Sequence, residues 1–300
     1  MRVFVTGATG FIGSAVVADL QEAGHQVLAL ARSDSSAASL ANAGVDVIRG
    51  SLENLESLRR GASACEGVVH TAFVHDFSKF PNSCEIDQRA IETMGEVLAG
   101  SNGPLVVSAG TLAIRPGRIA TEDDAHPPAS THLPRVSERA ALAAVSKGVR
   151  ASVVRLSIVH GDGDRGFIPA LIAIAHERGV AGYIGDGSNR WGAVERRDAA
   201  RLFRLALEKA PAGSRWHAAD DEGIPARDIA AAIGRGLNVP VLSIEPERAQ
   251  EHFGWIAAFF SMDGPVSSAI TRARLAWNPT HRGLIDDLAH GDYFAVARRA

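Results

Sequence analysis

The sequence predicts an α/β protein, a doubly wound parallel sheet with helices on both faces and a smaller C-terminal lobe. Three observations predict it. Residues 1–32 read as strand, glycine turn, amphipathic helix, strand. Strand-length apolar runs then alternate with helical-period segments, the pattern of consecutive βαβ units. The last stretch gathers Phe253, Trp255, Phe259, Phe260 and Trp277, aromatics suited to the core of a smaller lobe.

The elements follow in order. Val3–Val5 is a short apolar strand, and Ser14–Ala23 carries Val16, Val17 and Leu20 at helical spacing until Gly24 ends the helix. Gln26–Ala31 is the second strand. Ala37–Ala43 and Leu55–Arg60 read as helices flanking a strand at Val45–Ile48, and Gly67–Ala72 is the fourth strand. Phe73–Asp87 reads as an irregular loop and Asp87–Ala99 as a long helix. A strand at Leu105–Ser108, a loop over 115–134 and a helix at Arg135–Ser146 come next. Gly148–Val159 reads as one strand, and Phe167–His176 as a helix. Gly182–Val194 reads as a turn and a strand returning to the first half, followed by a helix to Leu207. Trp216–Ala218, Ile224–Leu237 and Val241–Ile244 close the series as strand, helix and strand.

Between the first strand and helix stand Gly7, Gly10 and Gly13. Glycine lets the chain leave the strand at an unusual backbone angle and lets a phosphate approach the backbone. The helix that follows offers free N–H groups and a positive dipole end. Gly7, Thr9, Gly10, Phe11, Ile12 and Gly13 are therefore candidates for binding the diphosphate of a dinucleotide.

Composition narrows the classes. A net charge of −3 gives no basic footprint for nucleic acid. The two cysteines, Cys65 and Cys84, have no metal-ligand spacing, and no metal site is expected. No apolar run is long enough to span a bilayer. Arg2 leads straight into a core strand, leaving no room for a signal peptide, so a cytoplasmic enzyme is the expectation.

The stretch TGATGFIG, Thr6–Gly13, resembles the opening of the short-chain dehydrogenase/reductase superfamily in its extended branch, which holds NAD(P)-dependent epimerases, dehydratases and reductases. The resemblance runs to about Pro279. It implies a Rossmann-type domain over 1–160, with 192–222 returning to it, a substrate-binding lobe over most of 161–300, a small-molecule substrate and a homodimer through the helices at 87–99 and 135–147.

On the cofactor side, no acid stands at 30–33 to hold a ribose 2′-hydroxyl. Arg32 and Ser33 suit a 2′-phosphate, which favours NADP; Asp34 keeps NAD open. Ser51 and Leu52 occupy the slot where the family usually has Asp-Leu against the adenine. Thr71, Ala72 and Phe73 stand where relatives line the cofactor. His75, Asp76 and Lys79 are polar candidates to face substrate or ordinary loop residues.

The catalytic side departs from the family. Neither Tyr183 nor Tyr293 lies near residue 135 or has a lysine four positions on, so the Tyr-x-x-x-Lys pair is missing. The sequence leaves several replacements open. Asp87 stands at a family Asn position or simply caps its helix. Ser108 and Thr111 flank the usual hydroxyl position, now Gly110. Arg135, with Arg139, keeps the four-residue spacing, and Glu138 becomes an acid if burial raises its pKa; both also fit an exposed helix start. His160 replaces a family tyrosine at a strand end, as a proton donor or a structural histidine. Asn189, Arg190 and Trp191 are candidate substrate contacts. The functional readings are thus an NAD(P)-dependent oxidoreductase or epimerase with a rebuilt proton relay, a non-catalytic NADP(H)-binding regulator, or a scaffold with a vestigial glycine loop.

Overall fold

The computed structural model describes residues 1–76, 79–112, 114–115, 117–126 and 136–294. The chain begins β1 (Arg2–Thr6), α1 (Phe11–Glu22), β2 (Gln26–Ala31), α2 (Asp34–Asn42), β3 (Asp46–Arg49), α3 (Leu55–Ser63), β4 (Gly67–His70), α4 (Phe80–Val97) and β5 (Pro104–Gly110). It continues α5 (Ser137–Ala143), β6 (Arg150–Leu156), β7 (Ile158–His160), α6 (Phe167–Arg178), β8 (Ala181–Ile184), β9 (Arg190–Glu195), α7 (Arg196–Lys209) and β10 (Arg215–Ala218). The last part is β11 (Asp221–Pro225), α8 (Ala226–Leu237), β12 (Val241–Ile244), α9 (Ala249–Phe253), α10 (Ala257–Phe260), α11 (Ala269–Leu275) and α12 (Leu284–His290).

Seven parallel strands form the central sheet in the order β10-β6-β5-β4-β1-β2-β3. This is the doubly wound Rossmann arrangement that the sequence predicts. The strand order reverses between β1 and β4, and ligands of such sheets bind in the crevice beyond the strand ends at that point. The strands are apolar on both faces because both are covered: Val3, Phe4 and Val5 are fully buried. One face packs Val106, Val154 and Trp216 against Val16, Leu20, Leu202 and Phe203 of α1 and α7. The other packs Val68, Val107 and Val153 against Leu58, Ile91, Met94 and Ala141 of α3, α4 and α5. A third core, around Ile168, Trp191, Ile229 and Phe260, builds the smaller lobe.

Three elements differ from the sequence expectation. Helix α4 begins at Phe80, with proline in its first turn, rather than at Asp87. Its buried positions include Ser83 and Asp87, polar types that mask the helical period in the sequence. The segment 148–159 is two strands. The chain breaks at Ser157, whose N–H and hydroxyl both donate to the Ala218 carbonyl at 3.2 and 2.7 Å. Beyond the break, β7 joins β9 and β11 in a separate three-stranded sheet. The return to the central sheet is therefore made by α7 and β10, not by β9.

Candidate active site

The glycine turn is tightly built. Gly7 has φ +75, and the Gly10 N–H donates to its carbonyl at 2.8 Å. A Cβ on Gly7 would sit 2.7 Å from the Ala72 nitrogen, and one on Gly13 would collide with the Gly7 carbonyl. Thr71 Oγ1 donates to the Thr6 carbonyl at 2.8 Å. The turn, α1 and the end of β4 are thus locked together, with Thr9 and Gly10 exposed and Phe11 and Ile12 half-buried. Gly10 caps α1 without a side-chain hydrogen bond, so no side chain occupies the first N–H groups of the helix. The donor set and the absent Cβ atoms fit a dinucleotide diphosphate.

At the end of β2, Arg32 is exposed, and the Ser33 hydroxyl caps α2 by accepting from the Ser36 N–H at 3.1 Å. The hydroxyls of Ser35 and Ser36 lie 2.9 Å from Ser33 Oγ. Asp34, the residue that kept NAD open, pairs with Arg49 at 2.8 Å, and Arg49 also donates to the Arg32 carbonyl. Ser51 accepts from the Asn54 N–H, and Leu52 is buried. Phe73 packs against the rings of His75 and Phe80.

A chain of polar side chains runs through the interior from this turn. Thr6 Oγ1 lies 2.7 Å from His70 Nδ1. His70 Nε2 lies 2.9 Å from Asp87 Oδ1. Ser137 Oγ donates to Asp87 Oδ2 at 2.6 Å. Thr6, His70 and Asp87 are at most 2% exposed, and Ser137 is half-buried at the start of α5. A carboxylate only accepts, so Nε2 carries the imidazole proton toward Asp87, and Nδ1 accepts from Thr6. Asp87 is therefore the middle of a hydrogen-bonded chain, inside α4 rather than at its cap. Sequence reasoning singled out Asp87 and missed Thr6, His70 and Ser137; their one signal was a polar residue at the buried end of each strand or helix.

Glu138 is in a different network. Arg155, fully buried on β6, donates to both its oxygens, from Nε at 2.7 Å and Nη2 at 2.8 Å. Arg215 adds a third bond at 2.7 Å. Burial alone would raise the Glu138 pKa, but these two guanidiniums hold it below the usual carboxylate value. The expected acid with a raised pKa is thus corrected to an ionised anchor. Arg155 Nη1 also meets His217 Nε2 at 3.1 Å, and the ring's Nδ1 faces the Ser267 carbonyl at 2.8 Å.

Among the described residues, the remaining candidates make no hydrogen bond to either network, although Ser108 follows Val107, the register partner of His70. Thr111 is buried and its hydroxyl donates to the Leu156 carbonyl. Ser108 is half-buried near the end of β5. His160 is fully buried and pairs through Nδ1 with Asp287 of α12 at 2.8 Å. Arg135 lies outside the described residues. Asn189 donates to the Phe260 carbonyl, Arg190 pairs with Asp263, and Trp191 is buried. Among the described residues, Glu195, Asp198 and His281 have the spacing of a metal cluster. Asp198, however, already accepts from the Thr280 and His281 N–H groups, and Glu195 from Arg197.

Fold and turn together define a dinucleotide-binding α/β protein of the Rossmann type. The family described as "NAD dependent epimerase/dehydratase family" matches residues 3–219, and the chain belongs to it. An uncharacterized protein of Schizosaccharomyces pombe is 50% identical over 98% of this chain and 100% of its own length. A sterol-4-alpha-carboxylate 3-dehydrogenase (decarboxylating) of Dictyostelium discoideum is 27% identical, over 75% of this chain and 73% of its own. A dTDP-glucose 4,6-dehydratase of Streptomyces venezuelae, solved with NAD bound, shares the fold at a TM-score of 0.80 and 19% identity, covering 100% and 98% of the two chains. The family is thus NAD-dependent and includes oxidoreductase relatives.

Proposed function

We propose that this protein is an NADP-dependent oxidoreductase acting on a small carbonyl or alcohol, or an epimerase or dehydratase working through the same redox step. The observation that carries the reading is the chain Thr6–His70–Asp87–Ser137, which links the glycine turn to the start of α5. A protein that only binds the dinucleotide needs no buried carboxylate hydrogen-bonded to a half-exposed hydroxyl.

The bound nicotinamide supplies or accepts the hydride. In alcohol oxidation Ser137 takes the substrate hydroxyl proton while its own proton moves to Asp87 Oδ2; carbonyl reduction runs in reverse. His70 holds Asp87 in place, and Thr6 fixes the His70 tautomer. Arg32, with the serines at 33, 35 and 36, forms the receptor for a 2′-phosphate, while Asp34 is drawn onto Arg49. A homodimer through α4 and α5, a cytoplasmic location and a nucleotide domain over 1–160 belong to the same reading.

The test is a fluorescence titration with NADPH and NADH, followed by turnover on a panel of aldehydes, ketones and nucleotide sugars. Tight NADPH binding with turnover supports the reading; failure to bind either dinucleotide ends it. The missing Tyr-x-x-x-Lys pair favours a second reading, a binding-only regulator, which predicts tight binding and no turnover across the panel.

A further inference from the structure

We propose that Arg196 is a ligand of the dinucleotide diphosphate, reaching the phosphate site across the Phe11 ring. The inference rests on the dinucleotide reading above.

Arg196 opens α7 and is half-buried. Its guanidinium carbon lies 5.4 Å from the centroid of the Phe11 ring, and Phe11 is the first residue of α1. The cation thus rests on the residue that begins the phosphate-facing helix. Its other side follows a second glycine-rich loop. A Cβ on Gly161 would stand 3.5 Å from Arg196 Cγ, and one on Gly163 would stand 3.8 Å from Nη1. Both are ordinary contact distances, so the loop lies against the arginine stem; the close approach at Gly161 is to Glu195 Oε1, at 2.9 Å.

The two carboxylates that flank Arg196 in α7 and its cap are engaged elsewhere. The neighbouring Arg197 takes Glu195 through both its N–H and its Nε. Asp198 accepts from Thr280 and His281. Among the described residues, Arg196 has no hydrogen bond and no ion pair; its recorded partner is the Phe11 ring. Its guanidinium nitrogens are not among the buried atoms without a partner, so they reach solvent and are open to an anion that arrives from there. The uncapped N–H groups of α1 beside it point to the same anion. Planar donors make arginine suited to a diphosphate, and the ring beneath fixes its plane. No other described group in the turn brings a full positive charge, so Arg196 completes a site that the backbone begins.

A nucleotide-sugar substrate also carries a diphosphate, so the experiment separates the two sources. The full-length protein and the variants Arg196→Met and Arg196→Lys are titrated with NADPH, NADH, UDP and adenosine 2′-monophosphate. Methionine keeps the stem on Phe11 and removes the charge, and thermal melting checks that each variant is folded. The expected result is about a tenfold loss of affinity for both NADPH and NADH in Arg196→Met, the size of one charge-assisted contact. Lysine restores part of it. Binding of adenosine 2′-monophosphate, which lacks the diphosphate, stays unchanged. Wild-type-like NADPH and NADH binding by folded Arg196→Met overturns the proposal while leaving the dinucleotide reading intact. So does a loss confined to UDP, which would assign Arg196 to a substrate. Wild-type protein that binds neither dinucleotide overturns both readings.

Discussion

Glu138 and Arg155 form a bidentate ion pair inside the protein, with bonds of 2.7 and 2.8 Å, and Arg155 is completely buried. Removing one partner of such a pair leaves a buried charge uncompensated. Glu138→Leu should therefore destabilise the fold by about 3–5 kcal/mol, measured by urea denaturation. The double variant Glu138→Leu/Arg155→Met should recover a large part of that loss. A double variant as weak as the single one would show that the pair is not what the site needs.

The same network sets an acid limit. Burial, reinforced by Arg155 and opposed by Glu122, lowers the His217 pKa below its ordinary value of 6.5. The folded state thus keeps this ring neutral where the unfolded chain would protonate it. Its contribution is complete above about pH 6.5 and is lost as pH falls from there through the lower pKa of the folded state. Glu138, held below its ordinary 4.5, contributes fully above that pH and loses its contribution on further acidification. The melting temperature should fall in two stages from pH 7 to about pH 3. His217→Gln should flatten the upper stage, and an unchanged slope there would remove His217 as its source.

Ser137→Ala and Asp87→Asn should each lower kcat by about 10²–10⁴-fold on any substrate the panel identifies, with NADPH affinity near that of wild type. His70→Gln, which acts through Asp87, should shift the pH profile of kcat more than it lowers its maximum. Full activity in Ser137→Ala would show that another group handles the proton.

Arg32→Ala should weaken NADPH binding about tenfold and leave NADH almost unchanged, because only NADPH carries the 2′-phosphate. Asp34→Ala should have little effect on either, since its carboxylate is already paired with Arg49. An equal loss for both dinucleotides would place Arg32 elsewhere in recognition.

Much of the fold was legible because its signals are local. The glycine turn, the apolar strands and Gly24 after α1 need only their neighbours in sequence. Asp87 was less legible: its helix begins seven residues earlier, in a stretch where Ser83 and Asp87 interrupt the apolar buried face. The break at Ser157 was hidden because residues on both sides are equally apolar, and only pairing with β10 and β9 separates them. The active-site chain joins residues 6, 70, 87 and 137, and Glu138 finds Arg155 and Arg215 across the sheet. Such pairings are set by strand order and register. Sequence alone named some of the members without showing which belong together.

The turn at Ser157 carries a further consequence. Adjacent residues of one peptide segment belong to two sheets, and Ser157 is tied twice to the Ala218 carbonyl at the edge of the larger one. The loop that begins at Gly161 is thus only a few residues from a fixed anchor. Its distance from the glycine turn is set by the covalent chain, much as the span of a caliper is set by its locked jaw. Insertions between residues 157 and 160 should be tolerated far less well than insertions in the exposed turn at 42–44. A library of single-residue insertions, sorted for soluble protein and for dinucleotide binding, would measure that gradient.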